Sequence, residues 1–445
     1  MAGTAALTLA LAACGDDADD PETGDSPSTS ESSTPSEPES SEPAAETFTN
    51  DACAAGATSA DSFKVAGILP ITGSLAYLGP PEIAGVGLAA SEINAAGGVN
   101  GAQACHAIED SGDANDLSIS TGSAKKIVNG KPSVVIGAAS SSVTLNVVDT
   151  FADNKITEVS PANTAVDLSG YSPYYFRTAP PDGVQGSALG TLISSDGFSK
   201  VGFLVFNDTY GTGLRDATQA TIEAAGGSCV YGCKDAGEEF SPGQTTFSAE
   251  VQAVTAAQPD AIVILAFDET KSIVPELAQS GFDMTKTYYS DGNTADYSKD
   301  FDPGTLEGAQ GTIPGADPEQ GFKDRLVGWN EFANGEGLQD FAYGAESYDA
   351  TILAALAAIK GGANDSTTVQ KNFAAVSGAT DGEECSTFAD CVALLESGSE
   401  IRYTGPSGIG PIDDENDPSS AFVGVYEFNA DNKNVLTGTV EGAKP

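Results

Sequence analysis

Lys64-Val65-Ala66-Gly67-Ile68-Leu69-Pro70 is an apolar run of strand length, and the chain then changes period: residues 81–96 repeat their apolar positions as a helix does, until Gly97-Gly98 stops them. The first stretch reads as a strand buried on both faces, the second as a helix closed by a left-handed glycine. The same alternation runs on. Strands are expected at 104–110, 133–137 and 156–160, with helices at 114–129 and 143–153 between them. A second series follows, with strands at 200–206, 228–232, 261–267 and 287–290 and helices at 213–225, 247–257 and 270–280. Strands that alternate with helices need crossover connections, so they pair in parallel and are covered on both faces. The expected fold class is α/β, with doubly wound parallel sheets.

An internal echo points to two related lobes. Ile93-Asn94-Ala95-Ala96-Gly97-Gly98 and Ile222-Glu223-Ala224-Ala225-Gly226-Gly227 each close the helix that follows a Lys-Val strand. The chain from about residue 62 onward is too long for one small core and suits two lobes of ordinary domain size. Further helices at 322–331 and 343–360 are expected to return to the first lobe.

Ligands of open parallel sheets bind beyond the carboxyl ends of the strands. Two of the loops there are rich in hydroxyls: Ala138-Ala139-Ser140-Ser141-Ser142, which leads into a helix, and Ser160-Pro161-Ala162-Asn163-Thr164. A serine loop feeding a helix N-terminus offers hydroxyls, free N–H groups and the positive end of the helix dipole, a combination suited to a carboxylate. Serines in such places also serve as plain helix caps, and two loops at one rim favour the ligand reading.

Before the first strand the composition is of another kind. Residues 5–13 form a short apolar stretch that ends in Leu11-Ala12-Ala13-Cys14, after which the chain turns to Asp, Glu, Ser, Thr and Pro. The stretch is too short to span a bilayer and fits a signal-peptide core. The junction resembles a bacterial lipobox, which implies lipidation of Cys14 and an address on the outer face of the cytoplasmic membrane. No Lys or Arg precedes Lys64, so the basic region of such a signal is expected upstream of Met1. Residues 15–61 are expected to be a disordered acidic linker, because they hold too little apolar surface to offset the entropy of ordering. Like charges extend it into a tether.

The formal net charge is −45 over 445 residues, more than the linker alone carries. A nucleic-acid partner is excluded by the lack of clustered Lys and Arg. Six of the seven cysteines remain after Cys14. In an exported protein they read as three disulfides, Cys229 to Cys233 and Cys385 to Cys391 as local clips and Cys53 to Cys105 by elimination, among the 15 pairings that six cysteines allow. No metal site is expected, since these pairs lack nearby histidines and the single His106 sits in a strand-like run.

The order of Val65-Ala66-Gly67-Ile68-Leu69-Pro70-Ile71-Thr72-Gly73, Ala95-Ala96-Gly97-Gly98-Val99-Asn100-Gly101, Ile136-Gly137 with its serine run, Ser160-Pro161-Ala162-Asn163-Thr164, Arg177-Thr178 and Tyr210-Gly211-Thr212-Gly213-Leu214 resembles the branched-chain amino-acid-binding proteins of ABC importers. The resemblance runs from about Phe63 to about Phe428. It implies a type I periplasmic-binding fold: two doubly wound lobes joined by three crossovers, with ligand trapped as the lobes close. It also implies roles. Ser141, with Ser142 beside it, stands where the family binds the ligand carboxylate, Ala162 where it offers backbone, and Thr164 where a hydroxyl helps hold carboxylate and amine. Tyr210 matches a cleft tyrosine of the second lobe, and Asp291 the acidic partner of the ligand ammonium. A carboxylate in a closed cleft makes chemical sense only opposite a cation, although Asp291-Gly292 is also a common turn pair. Leu78 stands where relatives carry an aromatic, with Tyr77 beside it, and Phe267 lies near another cleft aromatic. These departures keep the amino-acid head and leave the side-chain pocket open to a short amide, urea or an aromatic acid.

Catalysis is not expected. The chain has no G-x-S-x-G elbow, P-loop or H-E-x-x-H, and Asp413-Asp414 sits in a polar turn. The organisation expected is a signal at 1–14, the linker at 15–61, lobe 1 at 63–180 plus 313–415 and lobe 2 at 181–312 plus 416–445. The expected function is a cofactor-free, monomeric solute-binding lipoprotein that hands an amino acid to an ABC permease on a Gram-positive cell surface. A lipoprotein that feeds a separate receptor would have the same sequence features.

Overall fold

The computed structural model describes residues 47–315 and 317–443, with side chains to 440. Cys14 and the first part of the expected linker lie outside them. The first sheet is built from β1 (Phe63–Leu69), β2 (Ala104–Asp110), β3 (Val134–Gly137), β4 (Glu158–Ser160) and β5 (Tyr175–Arg177), all parallel in the order β2-β1-β3-β4-β5. Helices α1 (Gly79–Ala95), α2 (Leu117–Gly130) and α3 (Ser141–Asp153) connect the first four strands. β1 is central, so Val65, Ile68 and Leu69 are fully buried and its side chains do not alternate in polarity.

After α4 (Asp182–Ser195) the chain lays down β6 (Lys200–Val205), α5 (Thr209–Ala224), β7 (Ser228–Tyr231), α6 (Ser248–Ala256), β8 (Ala261–Leu265), α7 (Thr270–Gln279), β9 (Thr287–Tyr289) and β10 (Gln310–Pro314). It then returns to the first sheet with α8 (Gln320–Asn334), α9 (Gly344–Gly361), α10 (Ser366–Ala374), β11 (Glu383–Cys385), α11 (Phe388–Ser397) and β12 (Ile401–Tyr403). A third crossing delivers β13 (Ser420–Phe428) and β14 (Asn434–Ala443) to the second sheet, ordered β14-β13-β10-β9-β8-β6-β7. β13 and β14 are antiparallel to their neighbours; the other five strands are parallel. The expected two doubly wound sheets joined by three crossings are therefore present, each over its own apolar core.

The two echoed helix stops use glycine differently. Gly97 and Gly98 both have positive φ, whereas after α5 only Gly226 does. Gly227 is required for space instead, since a Cβ there would lie 2.8 Å from the Ser199 carbonyl. On α1, a Cβ at Gly87 would fall 2.0 Å from the Trp329 ring, and one at Gly85 would fall 2.3 Å from the Gly344 carbonyl. These glycines let α1 approach α8 and α9 closely, which brings the start of α9 to the cleft.

Residues 47–61, read from composition as the end of a disordered linker, are docked on the first lobe. Phe48 packs against Phe332, Thr49 accepts a hydrogen bond from Trp329 Nε1 at 2.9 Å, and Ala52 bridges His106. One aromatic anchor and one disulfide hold a segment whose average composition is polar. The structure joins Cys53 to Cys105, Cys229 to Cys233 and Cys385 to Cys391, the pairing read from spacing and elimination. His106 is buried beside Trp329, and that burial lowers its pKa.

Candidate functional site

Four segments of the first lobe and three of the second meet in one cavity of about 20 Å³. The first lobe brings Leu75 and Leu78 from the loop after β1, Ser140 and Ser141 at the start of α3, Ala162 and Thr164 from the loop after β4, and Tyr343 just before α9; the second brings Tyr210, Phe267 and Asp291. The volume is that of about one water, so the lobes stand closed on each other.

One end of the cavity is set by the β3–α3 turn. Ser140 occupies the cap position of α3, yet its side chain caps nothing, and its Oγ is buried without a partner among the described residues. Thr164 Oγ1 is likewise buried and unpartnered. An uncapped helix start beside buried hydroxyls can accept an anion, because the first N–H groups of a helix have no acceptor within it. Ser141 Oγ is turned to the Ala165 amide at 3.3 Å. Asn163 does not reach the cavity: its Nδ2 donates to the Ala139 carbonyl at 2.7 Å and its Oδ1 accepts from Tyr175, fastening the two loops together. Arg177 secures them from behind. Fully buried, it pairs with Asp417 through Nε at 2.6 Å and donates to the Ala165 carbonyl at 2.9 Å, which ties the binding loop to the third crossing segment.

Opposite lies Asp291, in the short turn after β9. Its Oδ1 accepts from Tyr210 at 2.6 Å and Gln185 at 2.9 Å, and its Oδ2 accepts from Tyr343 at 2.5 Å. Burial raises its pKa, against the lowering effect of these three donors. Phe267 stacks on Tyr210 with centroids 5.6 Å apart and completes an apolar wall with Leu75 and Leu78.

Seven of the nine expected residues therefore line one cavity, and two do not. Ser142 points away and donates to Asp208 Oδ2 at the start of α5, making a contact between lobes. Successive residues at a helix start diverge by about 100°, so Ser141 and Ser142 cannot share a target. Tyr77 stands outside the cavity wall, its hydroxyl donating to the Asp291 carbonyl at 3.1 Å. Sequence reasoning missed Ser140, Leu75 and Tyr343. Tyr343 has φ 59° just before α9, an uncommon conformation for a bulky residue, and no local signal marks it. Among the described residues no group of three or more His, Cys, Asp or Glu is gathered as a metal site, and no helix is long and apolar enough to cross a membrane.

Two closable lobes around a small polar-ended cavity define a binding protein. Residues 62–385 match the periplasmic binding protein family, and the chain belongs to it. It is a binding protein and not an enzyme. It is 35% identical over 170 residues to the leucine-, isoleucine-, valine-, threonine- and alanine-binding protein of Pseudomonas aeruginosa, an alignment covering 38% of this chain and 45% of that one. With the Leu/Ile/Val-binding protein BraC3 of Rhizobium johnstonii it is 25% identical over 74% of this chain and 87% of the relative. Among solved structures it resembles the branched-chain amino acid transporter substrate-binding protein of Streptococcus pneumoniae in complex with isoleucine, with a TM-score of 0.69, 21% identity, and coverage of 86% and 100%. A solute-binding protein of R. palustris in complex with 4-hydroxybenzoate gives a TM-score of 0.68 at 16% identity, with coverage of 86% and 98%.

Proposed function

We propose that the protein is the extracytoplasmic solute-binding component of an ABC importer and captures an α-amino acid with an apolar side chain, branched-chain or closely related. The observation that carries this reading is the opposition, within one cavity, of the uncapped α3 start with Ser140 and Thr164 to the Asp291 carboxylate. Those ends suit a carboxylate and an ammonium, and the Leu75, Leu78 and Phe267 wall suits an aliphatic side chain. The names of the curated relatives support the same class of ligand.

Binding proceeds by closure. The ligand meets the α3 end on the open first lobe, and the second lobe then brings Asp291 and Tyr210 over it. Contacts made only in the closed form shift the population toward closure, which is the form a permease would recognise. Asp291 exchanges tyrosine donors for the ammonium at that moment. We further propose that Cys14 carries a lipid, that the acidic segment after it tethers a monomer to the outer face of the cytoplasmic membrane, and that the cell is Gram-positive. The Leu11-Ala12-Ala13-Cys14 motif supports this part of the reading.

Calorimetry against the full set of amino acids, small amides, urea and hydroxybenzoates tests the proposal. At least one apolar α-amino acid should bind with a Kd on the order of 1 μM or tighter. Asp291→Asn should weaken it about tenfold or more, the effect of losing a charge-assisted hydrogen bond. A chain that binds only an aromatic acid, or whose amino-acid affinity ignores Asp291, overturns the reading.

A further inference from the structure

A larger cavity of about 330 Å³ lies beside the cleft site and shares Tyr343 as a wall. Its most buried polar wall is Glu346, in the first turn of α9 and only 3% exposed. Among the described residues, no hydrogen bond from another residue reaches the Glu346 carboxyl oxygens. The backbone makes room for this carboxyl: a Cβ at Gly315 would lie 2.2 Å from Glu346 Oε1. Behind it, Glu82 of α1 is fully buried with both carboxyl oxygens unpartnered. Burial raises the pKa of both groups, and the Glu346 charge raises that of Glu82 further.

The rest of the wall completes a chemical description. Asp340 adds a second carboxyl at the rim, and Phe341, Tyr343 and Tyr426 present rings. The one cation of the lining, Lys323, is already paired with Asp317 and lies 5.7 Å from the centre of the Phe341 ring. Among the described residues no Lys or Arg pairs with either of these two buried acids, and a cation brought against Glu346 would favour its carboxylate form over the protonated one. A metal ion would ask for several convergent oxygen ligands, which the described residues do not gather. An ammonium asks for one carboxylate and ring faces, and both are present.

We propose that this cavity is a second binding site, distinct from the amino-acid cleft, for the primary ammonium group of a small organic cation, with Glu346 as its anchor and the rings of Phe341 and Tyr426 as its flanks. The probe is butylammonium, with 1-butanol as its uncharged counterpart, titrated into the full chain by calorimetry and followed by aromatic chemical shifts. Butylammonium should bind saturably with a Kd on the order of 1 mM or tighter, and butanol should not. Shift changes should centre on Phe341 and Tyr426. Glu346→Gln should weaken binding about tenfold, and Asp340→Asn, at the half-buried rim, should weaken it severalfold and decides the matter alone if the first variant folds poorly. The proposal is overturned if the folded wild-type chain binds no butylammonium, if both folded variants bind it as the wild type does, or if the shift changes centre on Phe267 and Tyr210 of the amino-acid cleft.

Discussion

Asp349 shows how a single buried carboxyl can set the pH response of this protein. It sits in α9, fully buried, and accepts hydrogen bonds from Tyr403 at 2.7 Å and from the Ser407 amide at 2.9 Å. Burial outweighs these donors and pushes its pKa up to about 6. The folded value is thus above the unfolded one, so the native state binds the extra proton, and stability falls as pH rises from about 4 to about 6. The cost at neutral pH is about 3 kcal/mol for this one group. Glu82, Glu158, Asp182 and Glu346 are raised by burial in the same direction. Carboxylates held below their usual range, such as Asp110 and Asp283, lose their contribution only at lower pH. Urea unfolding should therefore show the midpoint rising as pH is lowered from 7 to 5, with a shallower rise in Asp349→Asn. A midpoint that falls over that interval would show the buried acids to be better satisfied than their surroundings imply.

At the scale of elements, the helix starts join the lobes. Ser142 at the head of α3 donates to Asp208, which also caps α5 by accepting from the Tyr210 amide at 3.0 Å. Thr209 adds a second link to Asp167 at 2.7 Å. Ser142→Ala removes one link while leaving the α5 cap in place. It should lower ligand affinity by about fivefold, roughly one hydrogen bond, with little change in melting temperature. Affinity unaffected by the change would show that this contact contributes nothing to closure.

Strands β1, β3, β6 and β8 were legible because interior parallel strands are continuous apolar runs, and motif order marked Ser141, Thr164, Tyr210 and Asp291, which line one cavity from the loops and helix starts that follow strands. The antiparallel pair β13 and β14 has no helix between its strands, so strand–helix alternation does not mark it in the sequence. Ser142 does not join Ser141 in the cavity, because adjacency in sequence hides divergence around a helix. Tyr343 lies 52 residues from Asp291 along the chain, and only the return of α9 to the first lobe brings them together. Composition likewise could not show that Phe48 and Cys53 dock a segment that averages as linker.

Across the whole molecule, the described chain is one compact unit from Thr47 onward, carried by two sheets and three crossings. Arg177 and Asp417 lock two of the crossing regions to each other and hold the loop after β4 in place through the Ala165 carbonyl. The disulfides are distributed unequally along this frame. Cys53 and Cys105 close 52 residues of chain and pin the segment at 47–61 to β2, whereas Cys229–Cys233 and Cys385–Cys391 close separations of 4 and 6. In the loop-entropy account, the long closure restricts the unfolded chain by about 4 kcal/mol and each short one by about 2 kcal/mol. Replacing Cys53 and Cys105 together by Ser should therefore lower stability more than replacing Cys229 and Cys233. It should also raise hydrogen exchange along 47–61 and β2 while leaving the second sheet protected. Equal losses from the two double variants would mean that native packing of the docked segment, rather than chain closure, carries the stabilisation, since Phe48 and Thr49 hold it by contacts that survive the cut.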